Sequence, residues 1–274
     1  MTWNSFSVRP SAGQSAVVSA ALFAAGSQGV LEDGPLLVTQ FPADADLSAV
    51  REHVLDADPG AAIEVTPVPD VDWSAEWKTR IGAHELGGLV VTPPWLADAF
   101  EPERRIVITP GMAFGTGEHA TTRGVVRLMH GALPPGAVVA DLGAGSAVLA
   151  IAAARLGAAR VAAIELDPDA TPDAEANVAL NGVSGQVTVI EGDAALLLPL
   201  VAPVDVVLAN IISSVLLVLL PSIATALAPG GCAILSGILQ EERPQMLAAL
   251  AGGGWRVEAE DAEDVWWSVR VVRA

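Results

Sequence analysis

From Ala137 to the end of the chain, short apolar runs alternate with helical segments, and no other feature limits the fold as much. Strands are expected at Val138–Asp141, Val161–Glu165, Val187–Glu191, Val204–Ala209 and Cys232–Ser236. Helices are expected at Val148–Leu156, Ala170–Asn181, Ser214–Ala228 and Glu242–Ala251. Strands so short and so apolar are buried on both faces, and the helices between them supply the cover. The pattern predicts a doubly wound α/β sheet whose ligand sits at the carboxyl ends of the strands, near the switch point. Val257–Ala259 and Trp267–Val272 add a closing antiparallel pair.

The front of the chain reads differently. Trp3–Val8 alternates as a strand, Ser15–Ala25 is helical in period and stops at Gly26, and Val30–Leu31 and Leu36–Gln40 flank a Glu32-Asp33-Gly34-Pro35 turn. Leu47–Leu55 is a second helix and Ile63–Val65 a last strand. Two helices among four short strands in this order predict a ferredoxin-like α+β sandwich. Pro67-Val68-Pro69 ends that unit. The expected division is residues 1–67, a connecting region 68–103, and residues 104–274. In the connection, Trp73 and Trp77 stand four apart on one face of an expected linker helix. Leu89–Thr92 and Arg105–Thr109 read as strands bracketing a Pro93-Pro94-Trp95 loop.

Charge and cysteine usage narrow the function classes. The 32 Asp and Glu against 14 Lys and Arg give a formal charge of −18, which opposes a broad surface for a phosphate backbone and favours a basic partner. Cys232 is the single cysteine, so neither an intramolecular disulfide nor a thiolate zinc cluster can form, and a reducing cytoplasmic setting is expected. The apolar stretch Val206–Leu220 is interrupted by Asn210, Ser213 and Ser214, and falls short of the roughly 20 residues that span a bilayer. Ala16–Ala25 has the length of a signal-peptide core but follows a strand pattern with only Arg9 as positive charge, so a buried helix is expected.

Four clusters at strand ends can carry chemistry. In Asp141-Leu142-Gly143-Ala144-Gly145-Ser146-Ala147 a strand runs into a glycine-rich turn that lets the backbone approach a ligand. Val148 breaks the G-x-G-x-x-G dinucleotide pattern, and Asp141 ahead of the glycines suits a nucleoside with a charged amino-acid tail and no pyrophosphate. A plain strand-to-helix turn without ligand is the alternative. Glu165 ends the second strand, 22 positions after Gly143, where a carboxylate can accept from both hydroxyls of a ribose or cap a helix. Asp193, after the third strand, could accept from an adenine amine or serve as a turn acid. Asn210 ends the fourth strand, where its amide could hold an incoming amine or cap the helix that Ser213 and Ser214 begin.

A fifth cluster is the loop Pro110-Gly111-Met112-Ala113-Phe114-Gly115-Thr116-Gly117-Glu118-His119-Ala120-Thr121-Thr122, ahead of a helix. It lacks the Gly-Lys-Ser/Thr ending of a phosphate-binding loop, and Arg123 stands where a second zinc-binding His would be needed. No metal is expected.

Together these residues resemble the ribosomal protein L-eleven (L11) methyltransferases, the PrmA-like class I enzymes. The loop from Pro110 to Thr122 is the specific signal. Ala176-Asn177, Asn181-Gly182-Val183, Ala209-Asn210-Ile211, Pro229-Gly230-Gly231 and Leu235-Ser236-Gly237-Ile238-Leu239 extend the likeness. The resemblance implies a class I methyltransferase (Rossmann-like) domain in residues 104–274, S-adenosylmethionine as methyl donor, and a substrate-recognition domain in residues 1–67. It implies methylation of lysine amino groups, with the N-terminus as a further target, on ribosomal protein L11. A monomer touching neither membrane nor nucleic acid directly is expected.

By position, Thr122, Gly143, Glu165 and Asn210 would contact the donor, with Asp141 and Gly145 close by, and Asn210 would also orient the acceptor amine; Asp193 is added to the donor contacts on its strand-end reading alone. Phe114, Thr116 and His119 would shield the methionine end. The chain departs from the pattern at Ala147, where Gly is usual and the added methyl would approach the donor, and at Glu118, Ala120 and Glu165. Those departures leave two alternatives: a methyltransferase acting on another protein or a small amine, and an inactive donor-binding homologue.

Overall fold

Alternation along β1 (Trp3–Arg9) turns Phe6 and Val8 inward, and around this strand the first of two units is built. The computed structural model describes residues 3–68, 81–111 and 114–274. The units are Met1–Arg80 and Ile81–Ala274. In the first, α1 (Ser15–Ala24), β2 (Leu31–Asp33), β3 (Leu36–Pro42), α2 (Leu47–Ala57) and β4 (Ala62–Val68) follow β1. The sheet order is β2-β3-β1-β4, antiparallel throughout, the ferredoxin-like arrangement expected. Phe6 and Phe41 meet edge to face at 5.7 Å, and Val18, Leu22, Val50 and Val54 from the helices close the core over them. Asp46 caps α2 by accepting from the Ser48 and Ala49 amides. The expected linker helix carrying Trp73 and Trp77 lies outside the described residues.

The second unit opens with β5 (His84–Leu86), β6 (Leu89–Thr92) and β7 (Arg105–Val107), a small sheet whose strands lie on both sides of position 103. The sequence reading missed β5, which is three residues long and is held by pairing with β6. The segment read as a Pro93–Trp95 loop instead starts a 3₁₀ turn over Pro94–Ala99, since proline is tolerated where no helical N–H is needed.

The rest is α3 (Ala120–Met129), β8 (Val138–Leu142), α4 (Val148–Arg155), β9 (Arg160–Glu165), α5 (Thr171–Leu180), β10 (Val187–Glu191), α6 (Ala194–Val201), β11 (Val204–Asn210), α7 (Ser213–Ala226), β12 (Leu227–Leu239), α8 (Arg243–Gly252), β13 (Trp255–Glu263) and β14 (Trp266–Arg273). The strand order is β10-β9-β8-β11-β12-β14-β13, parallel up to β12 and antiparallel beyond. Two apolar layers cover the sheet. Side chains of α3, α4 and α5 fill one, and those of α6, α7 and α8 fill the other. The sequence order of the strands reverses between β8 and β11, which opens a crevice at their carboxyl ends.

Helix α6 was absent from the sequence reading. Its run Ala-Ala-Leu-Leu-Leu-Pro-Leu-Val has no polar face to mark a period, and Asp193, expected as a ligand contact or turn acid, is its N-cap. Among the described residues no helix is long and apolar enough to cross a membrane. The stretch Val206–Leu220 is divided between β11 and α7.

Candidate active site

The crevice holds a cavity of about 620 Å³, within the roughly 300–1,000 Å³ usual for small-molecule sites. Its floor is the turn after β8. Gly143 and Gly145 both take left-handed φ, of 69° and 53°. A methyl on Gly145 would lie 2.4 Å from the Phe114 carbonyl oxygen, so only glycine allows the loop before α3 to sit on this turn. Ala147 also has a left-handed φ, 64°, but its side chain is fully buried in the core and is not part of the cavity wall. The expectation that its methyl approaches the ligand is therefore corrected: the residue starts α4, and its cost is backbone strain of about 1–2 kcal/mol.

Glu165 ends β9 at the cavity wall. Its Oε2 accepts from the Gly145 amide at 2.6 Å and its Oε1 from the Asp167 amide at 2.9 Å. The carboxylate is fixed by backbone donors, with a lone pair on each oxygen left for a ligand. Asp141 lies one layer deeper, 1 % exposed and behind the wall. Neither of its carboxyl oxygens has a hydrogen-bond partner among the described residues. Burial pushes its pKa up to about 7 and the Glu165 charge adds to the rise, while the Ala150 backbone N–H, which points at the carboxyl without hydrogen-bond geometry, pulls the other way.

Thr122 faces the cavity from the first turn of α3, and its buried hydroxyl has no hydrogen-bond partner among the described residues. Asn210 enters from the end of β11, paired in register with Ser236 of β12. It does not cap α7, whose N-cap is Ile212 without a side-chain bond. Asp193 stays outside the wall, bonding the Ala195 amide at 2.8 Å. The structure thus brings Thr122, Gly143, Gly145, Glu165 and Asn210 together around one volume, with Asp141 beneath it and Asp193 apart.

Aromatic rings form another side. His119 stands between Phe114 at 5.5 Å and Trp266 at 4.9 Å, both edge to face, and all three border the cavity. Its Nδ1 lies 2.7 Å from the Thr121 hydroxyl. Sequence reasoning missed Trp266. Alternation in the Trp266-Trp267 pair was the available signal, because neighbouring strand residues face opposite sides. Trp267 goes into the core and donates its indole N–H to Glu260 at 2.8 Å, which leaves Trp266 for the cavity.

The donor set fits an adenosyl sulfonium compound. A fixed carboxylate suits ribose hydroxyls, the glycine turn admits a close approach, and the orphaned Thr122 hydroxyl and Asp141 carboxyl lack the polar partners that buried groups normally have. Val148, Leu149, Ala170 and Ile211 supply apolar walls for a flat base.

Comparison with known proteins agrees. Residues 14–274 match the family model described as ribosomal protein L11 methyltransferase (PrmA). The ribosomal protein L11 methyltransferase of Pelotomaculum thermopropionicum is 42% identical over 223 residues, 81% of this chain and 71% of that protein. The Thermus thermophilus enzyme of the same name is 38% identical over 246 residues, 89% of this chain and 90% of its own. The crystal structure of a ribosomal protein L11 methylase from Lactobacillus delbrueckii subsp. bulgaricus superposes with a TM-score of 0.63 at 30% identity, covering 70% of this chain and 99% of that one. The chain belongs to the ribosomal protein L11 methyltransferase (PrmA) family of class I, S-adenosylmethionine-dependent methyltransferases.

Proposed function

We propose that this enzyme methylates lysine side chains, and the N-terminal amine, of ribosomal protein L11. One observation carries the reading: an asparagine amide, Asn210, stands on the wall of the same cavity as the glycine turn and the Glu165 carboxylate. When bound, S-adenosylmethionine supplies a methyl group on a cationic sulfur. Thr122, Gly143, Gly145 and Glu165 would hold it, with Asp141 below as a counter-charge to its cationic end. Asp193, as the cap of α6, acts on the ligand only through the position of that helix.

An amine attacks only as the free base. The apolar and aromatic sides of the cavity disfavour an ammonium ion, which lowers the pKa of an entering lysine. The Asn210 side-chain oxygen accepts an N–H of that amine and aims its lone pair, so the residue works by orientation rather than by proton transfer. In this reading residues 1–67 recognise the protein substrate, 68–103 connect, and 104–274 carry the transfer. The net charge of −18 attracts a basic ribosomal protein and disfavours direct contact with nucleic acid. In the same reading it works in the cytoplasm as a monomer.

The test is transfer of labelled methyl groups from S-adenosylmethionine to purified L11, with free lysine and an unrelated basic protein alongside. Label on L11 alone supports the assignment. Equal label on free lysine would make a small amine the substrate, and donor binding without transfer would mean an inactive homologue.

A further inference from the structure

Two asparagines of α5, Asn177 and Asn181, are buried at 1 % and 5 % exposure, where an amide is costly unless every group is satisfied. Asn181 spends its amide on Val107 and on its own helix, its Nδ2 also donating to the Asn177 carbonyl at 2.8 Å. Its Oδ1 accepts from the Val107 amide at 2.8 Å and its Nδ2 donates to the Val107 carbonyl at 2.7 Å, so it pairs with β7 as a neighbouring strand would. Asn177 divides its amide. Its Oδ1 accepts from the Thr109 amide at 3.0 Å, just beyond β7, while its Nδ2 donates to the Ser146 carbonyl at 3.1 Å in the glycine turn.

Ser146 completes the circuit. Its amide donates to the Phe114 carbonyl at 2.9 Å and its hydroxyl to the Gly115 carbonyl at 2.7 Å. A methyl on Gly115 would lie 2.6 Å from the Ser146 hydroxyl, so the approach needs glycine there as well as at Gly145. Thr109 and Phe114–Gly115 both belong to the connection between β7 and α3, so one turn residue and one helix amide grip that connection at two places. Phe114 and Gly115 border the cavity, whereas Asn177 does not.

We propose that Asn177 and Ser146 form a latch that sets the Phe114–Gly115 wall over the glycine turn and so determines how tightly the methyl donor is retained. Asn177 is a positioning residue acting through Ser146. The contrast with Asn181 separates this role from mere support of β7: both asparagines hold the strand region, but only Asn177 reaches the turn. The inference rests on the reading of this cavity as the donor site.

The test uses the full-length protein and three variants. Asn177→Asp keeps the acceptor for Thr109 and replaces the donor facing the Ser146 carbonyl with an oxygen. Ser146→Ala removes only the hydroxyl bond to Gly115. Asn181→Leu loosens β7 without touching the turn. Donor affinity is measured by titration with S-adenosylmethionine, kcat at saturating donor, and hydrogen exchange of the Ser146 amide in the free protein.

The latch requires about a tenfold weaker donor Kd in Asn177→Asp and about threefold in Ser146→Ala, with kcat within about threefold of the parent. Ser146 amide exchange rises in Asn177→Asp. In Asn181→Leu, Tm falls while donor Kd stays within about twofold. Unchanged Kd and exchange in a folded Asn177→Asp protein overturn the latch, as does a joint loss of Tm, donor affinity and kcat that Asn181→Leu reproduces in full. If the parent protein binds no donor, the donor reading fails separately, and the exchange of Ser146 still decides whether the latch exists.

Discussion

Replacing Asp141 by asparagine removes a carboxyl whose pKa is raised from 3.8 to about 7 by burial. The native state therefore holds this proton more tightly than the unfolded chain. With the acid raised in this way, its contribution to stability is intact below pH 4 and is lost as pH climbs toward 7, the reverse of a salt-bridged carboxylate. Each pKa unit corresponds to about 1.4 kcal/mol, so the whole window costs about 4 kcal/mol. Between pH 5.5 and 7, above the titration of ordinary carboxylates, about 2 kcal/mol of that loss remains. The carboxyl is essentially inaccessible, so solvent screening takes little from this figure.

The assay is calorimetry of parent and Asp141→Asn proteins without ligand, from pH 5.5 to 7.5. Every other titratable group is common to the two proteins, so its effect cancels in the difference. Asparagine can add a constant offset, but it has no proton to lose, so the two Tm curves should diverge toward Asp141→Asn with rising pH. At about 2–4 °C per kcal/mol for a unit of this size, the divergence amounts to roughly 4–8 °C. Parallel curves would refute the reasoning, since they would mean that the carboxyl is solvated or bonded in the native state. A cationic donor bound above Asp141 should also favour its ionised form, so donor binding below pH 7 should release a proton in the parent and none from this position in Asp141→Asn.

Three further outcomes follow from the site. Gly145→Ala places a methyl 2.4 Å from the Phe114 carbonyl on a backbone with φ of 53°. A left-handed residue costs about 1–2 kcal/mol and overpacking about 1–3, so donor titration should show at least a tenfold loss of affinity. Asn210→Ala should lower kcat about 100-fold on L11 while donor affinity changes little, and an unaltered kcat would remove Asn210 from amine orientation. Arg127 bonds Asp261 at 2.7 and 2.5 Å and Glu263 at 2.8 Å, joining α3 to β13. Arg127→Met should cost about 1–2 kcal/mol, because the network is part exposed, with a matching fall in Tm near neutral pH. Arg123 beside Glu263 holds that carboxyl below its usual range, so its contribution exists above about pH 4.5 and disappears as pH falls further.

Much of this site was legible because the relevant order is local. The glycines at 143 and 145 follow directly on a strand, and Glu165 falls on the last residue of the next, so chain spacing alone places them at one edge of the sheet. Thr122 could be named only through resemblance, since one threonine at the start of a helix carries no signal of its own. Asp193 shows the limit of position-based reading: the same strand-end acid can meet a ligand or cap a helix, and here its side chain bonds the Ala195 amide.

The sequence by itself determined the two fold types, the strand–helix alternation and the glycine turn, because periodicity, propensity and backbone freedom act over a few residues. Tertiary structure decided the rest. It placed β14 between β12 and β13, took Trp267 into the core and left Trp266 for the cavity, and buried Asp141 without a partner. It also spent the two asparagines of α5 on groups 68 and 74 positions away. Those outcomes depend on which distant surfaces meet, and no local pattern encodes the hydrogen bonds that buried groups must then find.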